Sequence, residues 1–360
     1  MKASVDIAVL GAGAAGIAAA VSAARAGATT LLLDQRPAGG GTGGFSGLTT
    51  LCGLYDDDGK FLNDGFAREF AGALAESGAP IKTGRVWVLP YRPEKFRDVA
   101  ARLLDSTPNL QTRWNSPLEK VTVENDRISS LNNLAVGAVI DCSGSAEAAQ
   151  AAGADCLATD ETTQAPSVVF ALRGVAREIR TPADAAQVLL PLIRAGFPPL
   201  NFHPGLEPSG LTAKFSGPPE QVPALVEFLR ANVRGFENCS APQKEFSVSR
   251  RAGRMIVGEY LLTGADVLAA KKFPDAVARC AWPVEQWDAA GKTRLRWLPP
   301  GAYYEIPARS LRAAKIKNLF MAGKTISADV DAIASARVMG CCLATGEAAG
   351  RLAAQFCKGR

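Results

Sequence analysis

The sequence predicts an α/β chain organised around a parallel sheet, and three observations carry that expectation. A short apolar run, Val5–Leu10, leads into a glycine turn, Gly11–Gly16, and then a small-residue helix, Ile17–Ala26. A second apolar run, Thr29–Leu33, follows at once and ends on Asp34. Far downstream the strand-then-glycine pattern returns at Asn318–Gly323, ahead of the Ala-, Gly- and Cys-rich stretch Ala332–Gln355, read as one long helix. Short runs without polar alternation suit strands that are covered on both faces. Strand, turn, helix and strand within about 30 residues make the unit that holds a dinucleotide. The expected architecture is a Rossmann-like domain, discontinuous in sequence, with a second, smaller α+β domain.

The intervening elements follow in order. Pro37–Gly53 holds seven glycines with several Thr and Ser residues, and a structureless linker directly after such a unit in a compact domain is disfavoured. Asp64–Ser77 and Glu94–Asp105 have helical patterning, and Leu118–Glu124 and Ala135–Asp141 read as strands. From about Thr159 prolines become frequent, Ser167–Leu172 alternates as a strand, and Pro182–Arg194 and Pro223–Val233 read as helices. We therefore expect residues 1–158 and 300–360 to form the nucleotide-binding domain and 159–299 a substrate-facing cap.

Composition narrows the function classes. With 360 residues there is room for two domains. Hydrophobic content of 48% with 21% charged residues fits a globular enzyme and not a disordered chain. The net charge of +5 is dispersed, with no basic run interleaved with aromatics, so no nucleic-acid partner is expected. A mildly basic surface favours an anionic small-molecule substrate by steering. The eight cysteines form no CxxC pair and there is one histidine, His203, so no metal site is expected and the thiols read as reduced, in a cytoplasmic setting. Glycines interrupt the apolar segment Ile7–Ala28, so neither a membrane span nor a targeting signal is expected there. Oligomeric state is left open.

The motif Gly11-Ala-Gly13-Ala14-Ala15-Gly16 is GxGxxG. Its first glycine makes the tight turn, its second lets a pyrophosphate approach the backbone, and its third lets helix and strand pack closely. The helix N-terminus then offers free N–H groups to the phosphates. Asp34 follows at roughly the 20-residue spacing expected of an acid that accepts from ribose hydroxyls. Gln35 and Arg36 are counted with it. That acid disfavours NADP, whose 2′-phosphate would meet like charge. Directly after it come Gly40, Gly41, Thr42, Gly43 and Gly44. Backbone without Cβ atoms can run along a pyrophosphate and a flavin ring. A simple NAD unit has no use for such a loop, so the expected cofactor is FAD; the alternative is a flexible linker.

Taken together, GAGAAG, LLLDQR, GGGTGG, VIDCSG and NLFMAGKTISAD resemble the flavin-binding pattern of the glutathione-reductase-type fold. Ser249-Arg-Arg-Ala-Gly253, Ile256–Thr263, Tyr304–Leu311 and Ser335-Ala-Arg-Val-Met339 more specifically resemble the FAD-dependent oxidoreductase family often called FAD_oxidored. The resemblance runs from residue 5 to about 350 and is weakest between 160 and 240. It implies that Ser143 and Gly144 pass near the pyrophosphate or adenosine, with Val121 also among the cofactor contacts. It places Gly323 and Asp329 beside the ribityl chain. It has Ala334–Met339 open a helix aimed at the pyrimidine end, so that Ser335, Arg337, Val338 and Met339 join the cofactor site. Arg337 would then support charge at N1/C2=O, or be an ordinary helix charge. Family members commonly carry a histidine between these last two motifs; here Asp329-Val-Asp331-Ala-Ile supplies carboxylates instead, which leaves the general base unassigned.

The catalytic candidates each carry a plainer alternative. Arg250 and Arg251 can clamp a carboxylate or phosphate, or form a structural ion pair. Tyr303 and Tyr304 can donate a proton, or pack at a domain seam. Cys52 can place a redox thiol near the flavin, or be a buried thiol. Asp56–Asp58 reads as a solvated turn. The expected activity is hydride transfer between a small organic substrate and flavin N5, the electron acceptor being open. A flavin monooxygenase, an accessory or electron-passing flavoprotein and an NAD-binding protein are the alternatives. Chemistry is expected where the 39–53 loop, the 249–251 arginines and the 327–339 turn meet.

Overall fold

The computed structural model describes residues 4–75, 78–159, 164–179, 182–198, 200–204, 210–241, 248–288 and 292–359. Its largest sheet has seven strands. The order is Leu110–Arg113, Thr30–Leu33, Ser4–Leu10, Leu134–Asp141, Arg127–Leu131 and Val121–Glu124, and Leu319–Met321 also pairs with Leu134–Asp141. Leu10 stands opposite both Leu33 and Asp141, and Met321 opposite Asp141, all in parallel pairs. The carboxyl ends of four parallel strands therefore line up at one edge of the sheet. That edge is where open α/β sheets bind their ligands.

Alternation along the first strand explains its continuous apolar run. Ile7 and Val9 join the core cluster on one face, and Ala8 and Leu10 join that on the other. Asn318 tends the point where Leu134–Asp141 changes partner. Its side chain accepts from Ile128 N at 2.8 Å and donates to the carbonyls of Ile128 and Gly137 at 2.9 and 3.0 Å. A fork between strands would otherwise leave buried backbone groups unpaired.

The helix Ala14–Arg25 packs directly on the helix Met339–Lys358. Small residues make this possible: a Cβ at Gly346 would lie 2.2 Å from Ala15 O, and one at Gly350 would lie 2.3 Å from Ala19 O. The single helix expected over 332–355 is in fact two, Val330–Ala336 and Met339–Lys358. Val338 is extended between them, at φ −66° and ψ 147°, while Arg337 turns aside to bond Gln164 and the Glu285 carbonyl. The apolar periodicity runs through this break, which is why the pattern concealed it.

The stretch expected to form the cap carries a four-stranded antiparallel sheet, ordered Leu200–Pro204, Leu211–Phe215, Ser167–Leu172 and Val248–Ser249. Helices Pro182–Arg194 and Val222–Asn232 cover one face, around Val168, Phe170, Phe215 and Leu225. The segment after residue 250 is shared between the two expected units. Arg254–Ile256 pairs with Cys156–Ala158, and Ala276–Cys280 pairs with Tyr304–Pro307. No helix among the described residues is long and apolar enough to cross a membrane.

Candidate functional site

The three glycines of the turn sit in different circumstances. Gly11 has φ +93°, and a Cβ there would lie 2.6 Å from Cys142 O. At Gly16 a Cβ would lie 1.7 Å from Gly11 O. The fold itself demands both. Gly13 differs: its backbone is extended, and the nearest atom to an added Cβ is Gly41 Cα at 3.9 Å. Nothing in the chain requires glycine at 13, so its open backbone leaves room for an external group. The helix beginning at Ala14 has no side-chain cap, so the N–H groups of its first turn, Ala14 to Gly16, are suited to an anion.

Asp34 flanks this turn. One carboxylate oxygen accepts from Ala12 N at 2.6 Å and the other from Arg36 N at 2.8 Å. Gln35 and Arg36 are exposed beside it. The glycine loop docks onto the same turn, with Gly40 N donating to Ala12 O at 2.8 Å. Gly41–Phe45 is a short helix and not an open loop. Cβ atoms at Gly43 and Gly44 would lie 2.5 Å from Phe96 and 2.7 Å from Arg97, so packing on the Pro93–Asp105 helix already accounts for both glycines. Gly40, Gly41 and exposed Thr42 remain as the part of the loop next to Gly13. Ser143 Oγ donates to Asp141 at 2.7 Å and accepts from Glu147 N at 3.1 Å, which fixes the turn at Gly144, φ +77°. Burial raises the Asp141 carboxyl, against the donors from Ser143 and Ala149. Gly323, φ +71°, completes the edge and donates to Thr345 Oγ1 at 3.1 Å.

Several expected contacts are placed elsewhere. Tyr304 and Ser335 are each 0% exposed, and their hydroxyls lie 2.8 Å apart. Ser335 also donates to Trp282 O at 2.5 Å. Alternation in Tyr304–Pro307 turns Tyr304 and Ile306 into the core, so neither Tyr304 nor Ser335 can touch a ligand. Asp329 caps its helix through Ala332 N at 2.7 Å and holds Gly264 N at 3.0 Å, so its carboxylate joins two segments of the framework. Val121 lies on the outermost strand, opposite Leu131, on the far side of Leu134–Asp141 from the glycine turn. Burial, then Glu285, pushes the Cys52 thiol up to about 12, and Lys214 opposes this only in part. Cys52 therefore stays protonated at neutral pH and is no thiolate nucleophile. Tyr303 lies under Lys272, whose Nζ is 3.0 Å from the ring centre. Asp56 accepts from Asp58 N and Lys60 N at 3.0 and 2.9 Å, as a turn should. His203 is on the Leu200–Pro204 strand, but its side chain lies outside the described residues.

Of the three segments expected to meet, two reach the strand Val284–Trp287, through Arg251 and Arg337, and the 39–53 loop ends against the residue after Arg337. A Cβ at Gly53 would lie 2.4 Å from Val338, beside Arg337. Arg251 is 7% exposed; it donates to Ser167 Oγ at 2.8 Å and to Ala165 O, and its guanidinium lies 4.2 Å from the Trp287 ring centre. Arg250 contributes its carbonyl, which accepts from Lys324 Nζ at 3.3 Å.

At the centre of this seam is Glu285. Trp287 Nε1 donates to one of its oxygens at 2.7 Å and Trp282 Nε1 to the other at 3.0 Å. Lys214 Nζ stands 3.9 Å from the same carboxylate and 4.1 Å from the Trp287 ring centre. Arg337 Nη2 donates to Gln164 Oε1 at 3.0 Å, while Arg337 Nε is buried without a hydrogen-bond partner. Burial raises the Glu285 carboxyl, but Lys214, Arg337 and the two indoles outweigh it and hold it at about 2. Burial, helped by Arg251 and Arg337 and opposed by Glu285, lowers Lys214 to about 8. Burial and then Arg337 lower Arg251 to about 9 and Lys324 to about 8. Three cations, Lys214, Arg251 and Arg337, thus surround one carboxylate, with Lys324 beyond Arg337, and the repulsion among them marks a site short of negative charge.

Sequence reading missed Lys214, Glu285, Trp287, Gln164 and Lys324. A signal existed for Lys214. In Leu211–Phe215 the residues Leu211, Ala213 and Phe215 face the cap core, so Thr212 and Lys214 must face away. That other face meets the nucleotide-binding unit, where Thr212 Oγ1 lies 3.1 Å from Thr49 Oγ1.

No curated protein sequence matches this one. Among solved structures the chain is similar to a geranylgeranyl bacteriochlorophyll reductase-like protein from Thermoplasma acidophilum, at 14% identity and a TM-score of 0.51, over 99% of this chain and 78% of that one. It is also similar to the flavin-dependent brominase Bmp2, at 10% identity and a TM-score of 0.52, over 99% of this chain and 80% of that one. Likeness at such identities concerns the fold. The family model described as FAD dependent oxidoreductase matches residues 6–191 and 200–360, so the chain belongs to that family and binds FAD.

Proposed function

We propose that this protein transfers a hydride between a small organic substrate and N5 of FAD. The nucleotide half would lie on the Gly11–Gly16 turn, and the reaction would occur at the seam where residues 159–299 face the nucleotide-binding unit. Gly13 carries this reading: it is a glycine that neither backbone conformation nor packing requires, directly before an uncapped helix. Bound FAD supplies the hydride-accepting ring; the chain supplies binding, orientation and electrostatics.

The chain's parts are suited to those tasks. First-turn N–H groups of Ala14, Ala15 and Gly16 would bind the pyrophosphate, and Asp34 would accept from the ribose while keeping its bond from Ala12 N. Gly40, Gly41 and Thr42 would border the cofactor next to Gly13, with Ser143, Gly144 and Gly323 along the strand ends. The helix Met339–Lys358 also lacks a side-chain cap, so its N-terminus beside Arg337 would favour negative charge on the pyrimidine ring. Trp282 and Trp287 hold Glu285 in place and screen it from water.

The test is photometric. Purified full-length protein should be yellow, with flavin absorbance bands, and one or more small organic substrates should bleach those bands anaerobically with no second protein present. A flavin that no small molecule bleaches, but that exchanges electrons with a partner protein, would make this an electron-passing protein and overturn the proposal.

A further inference from the structure

We infer that Lys214 and Arg337 seat the carboxylate of the substrate in the seam above Glu285 and Trp287. The inference rests on the reading of the seam as the substrate site and gives that substrate a chemical class.

The argument starts from what each charged group already does. The Glu285 carboxylate takes two indole N–H donors. Arg251 is committed to Ala165, Ser167 and the Trp287 face, and Lys324 to the Arg250 and Ala252 carbonyls. Two donors remain. Lys214 Nζ is 3.9 Å from Glu285, beyond hydrogen-bond range, and donates no hydrogen bond among the described residues. Arg337 Nε is buried and unpartnered. A buried donor without an acceptor is costly, so such a group marks a place where an acceptor belongs.

The two donors belong together. Arg337 is close enough to Lys214 to disfavour its charge, and both adjoin Glu285, Lys214 at the carboxylate and Arg337 at the carbonyl. Lys214 reaches the seam from the cap sheet and Arg337 from the break between the two C-terminal helices. An acceptor held by both would bridge the two units. The lysine side chain retains 16% exposure, so the position is reachable.

FAD does not meet this need: the glycine turn and its helix serve its phosphates with backbone donors, and the uncapped N-terminus of Met339–Lys358 would serve its pyrimidine edge. A carboxylate's two oxygens can take an N–H from each of Lys214 and Arg337, and its single negative charge offsets part of the local excess. A phosphate dianion would bring a second negative charge within reach of the Glu285 carboxylate.

The experiment uses FAD-loaded full-length protein titrated with benzoate, benzyl alcohol and inorganic phosphate. Flavin difference absorbance and tryptophan fluorescence report binding. Benzoate should perturb both signals saturably, and benzyl alcohol and phosphate should not. Lys214→Met should weaken benzoate at least about tenfold, the size of one lost charge-assisted hydrogen bond, and Lys214→Arg should restore most of it. Both variants should keep wild-type FAD content, and Lys214→Arg should also keep the wild-type melting temperature. Benzoate that fails to bind the wild-type holoprotein, binds Lys214→Met equally well, or is matched by phosphate overturns the inference. Protein that lacks flavin altogether would instead sink the hydride-transfer reading, and the indole signal would still report on the carboxylate seat.

Discussion

The nucleotide turn and the charged seam are built from different materials. At the turn the chain works with backbone: Gly11, Gly13 and Gly16 within six residues, an uncapped helix and a single carboxylate, Asp34. At the seam it works with side chains brought from Gln164, Lys214, Arg251, Glu285, Lys324 and Arg337. A backbone site is specified locally, and its geometry tolerates little change. A side-chain site depends on the docking of two units, and its charges can be retuned one at a time. The first suits a cofactor of fixed shape, and the second suits chemistry that differs from protein to protein.

Substitutions can break or sharpen this contrast. The largest effect is expected at Gly16→Ala, where the new Cβ would fall 1.7 Å from Gly11 O. Backbone cannot yield there without separating helix from strand, so a loss of at least about 3 kcal/mol is expected, read as lost soluble yield or a lowered melting temperature together with lost flavin. A smaller effect is expected at Tyr304→Phe. Removing the hydroxyl deletes its bond to Ser335, which keeps its own bond to Trp282 O, so about 1 kcal/mol of stability should go. Anaerobic flavin reduction by substrate should be unchanged in that variant. A reduction rate that collapses while the melting temperature holds would return Tyr304 to the chemistry.

The parts legible in the sequence are those whose signal is local. Spacing from Gly11 to Asp34 defines strand, turn, helix and acid without reference to the rest of the chain, and the pattern at 318–323 shows the sheet regaining a strand from the far end. Burial is not local, and that is where the reading of Tyr304 and Ser335 failed. Both are polar residues in motifs near the site, and each spends its hydroxyl on the framework. The glycine loop was legible in part, since Gly43 and Gly44 answer to Phe96 and Arg97, which sequence spacing cannot announce. Lys214 and Glu285 lie 71 positions apart in the sequence and meet only where the sheet that holds Leu211–Phe215 comes against the strand Val284–Trp287. Alternation in Leu211–Phe215 shows that Lys214 leaves the cap core, but not that its other side is another part of the protein.

The central claim is that Gly13 exists for the cofactor and not for the fold, and Gly13→Ala tests it most directly. The added methyl has space, with its nearest neighbour at 3.9 Å. Flavin-free protein should therefore keep its stability to within about 1 kcal/mol, the cost of alanine at a helix N-cap. FAD affinity, measured by titration of flavin-free protein, should fall at least about tenfold because the methyl occupies the path of the pyrophosphate. Wild-type FAD affinity in Gly13→Ala would contradict the account and place the cofactor elsewhere on the sheet edge.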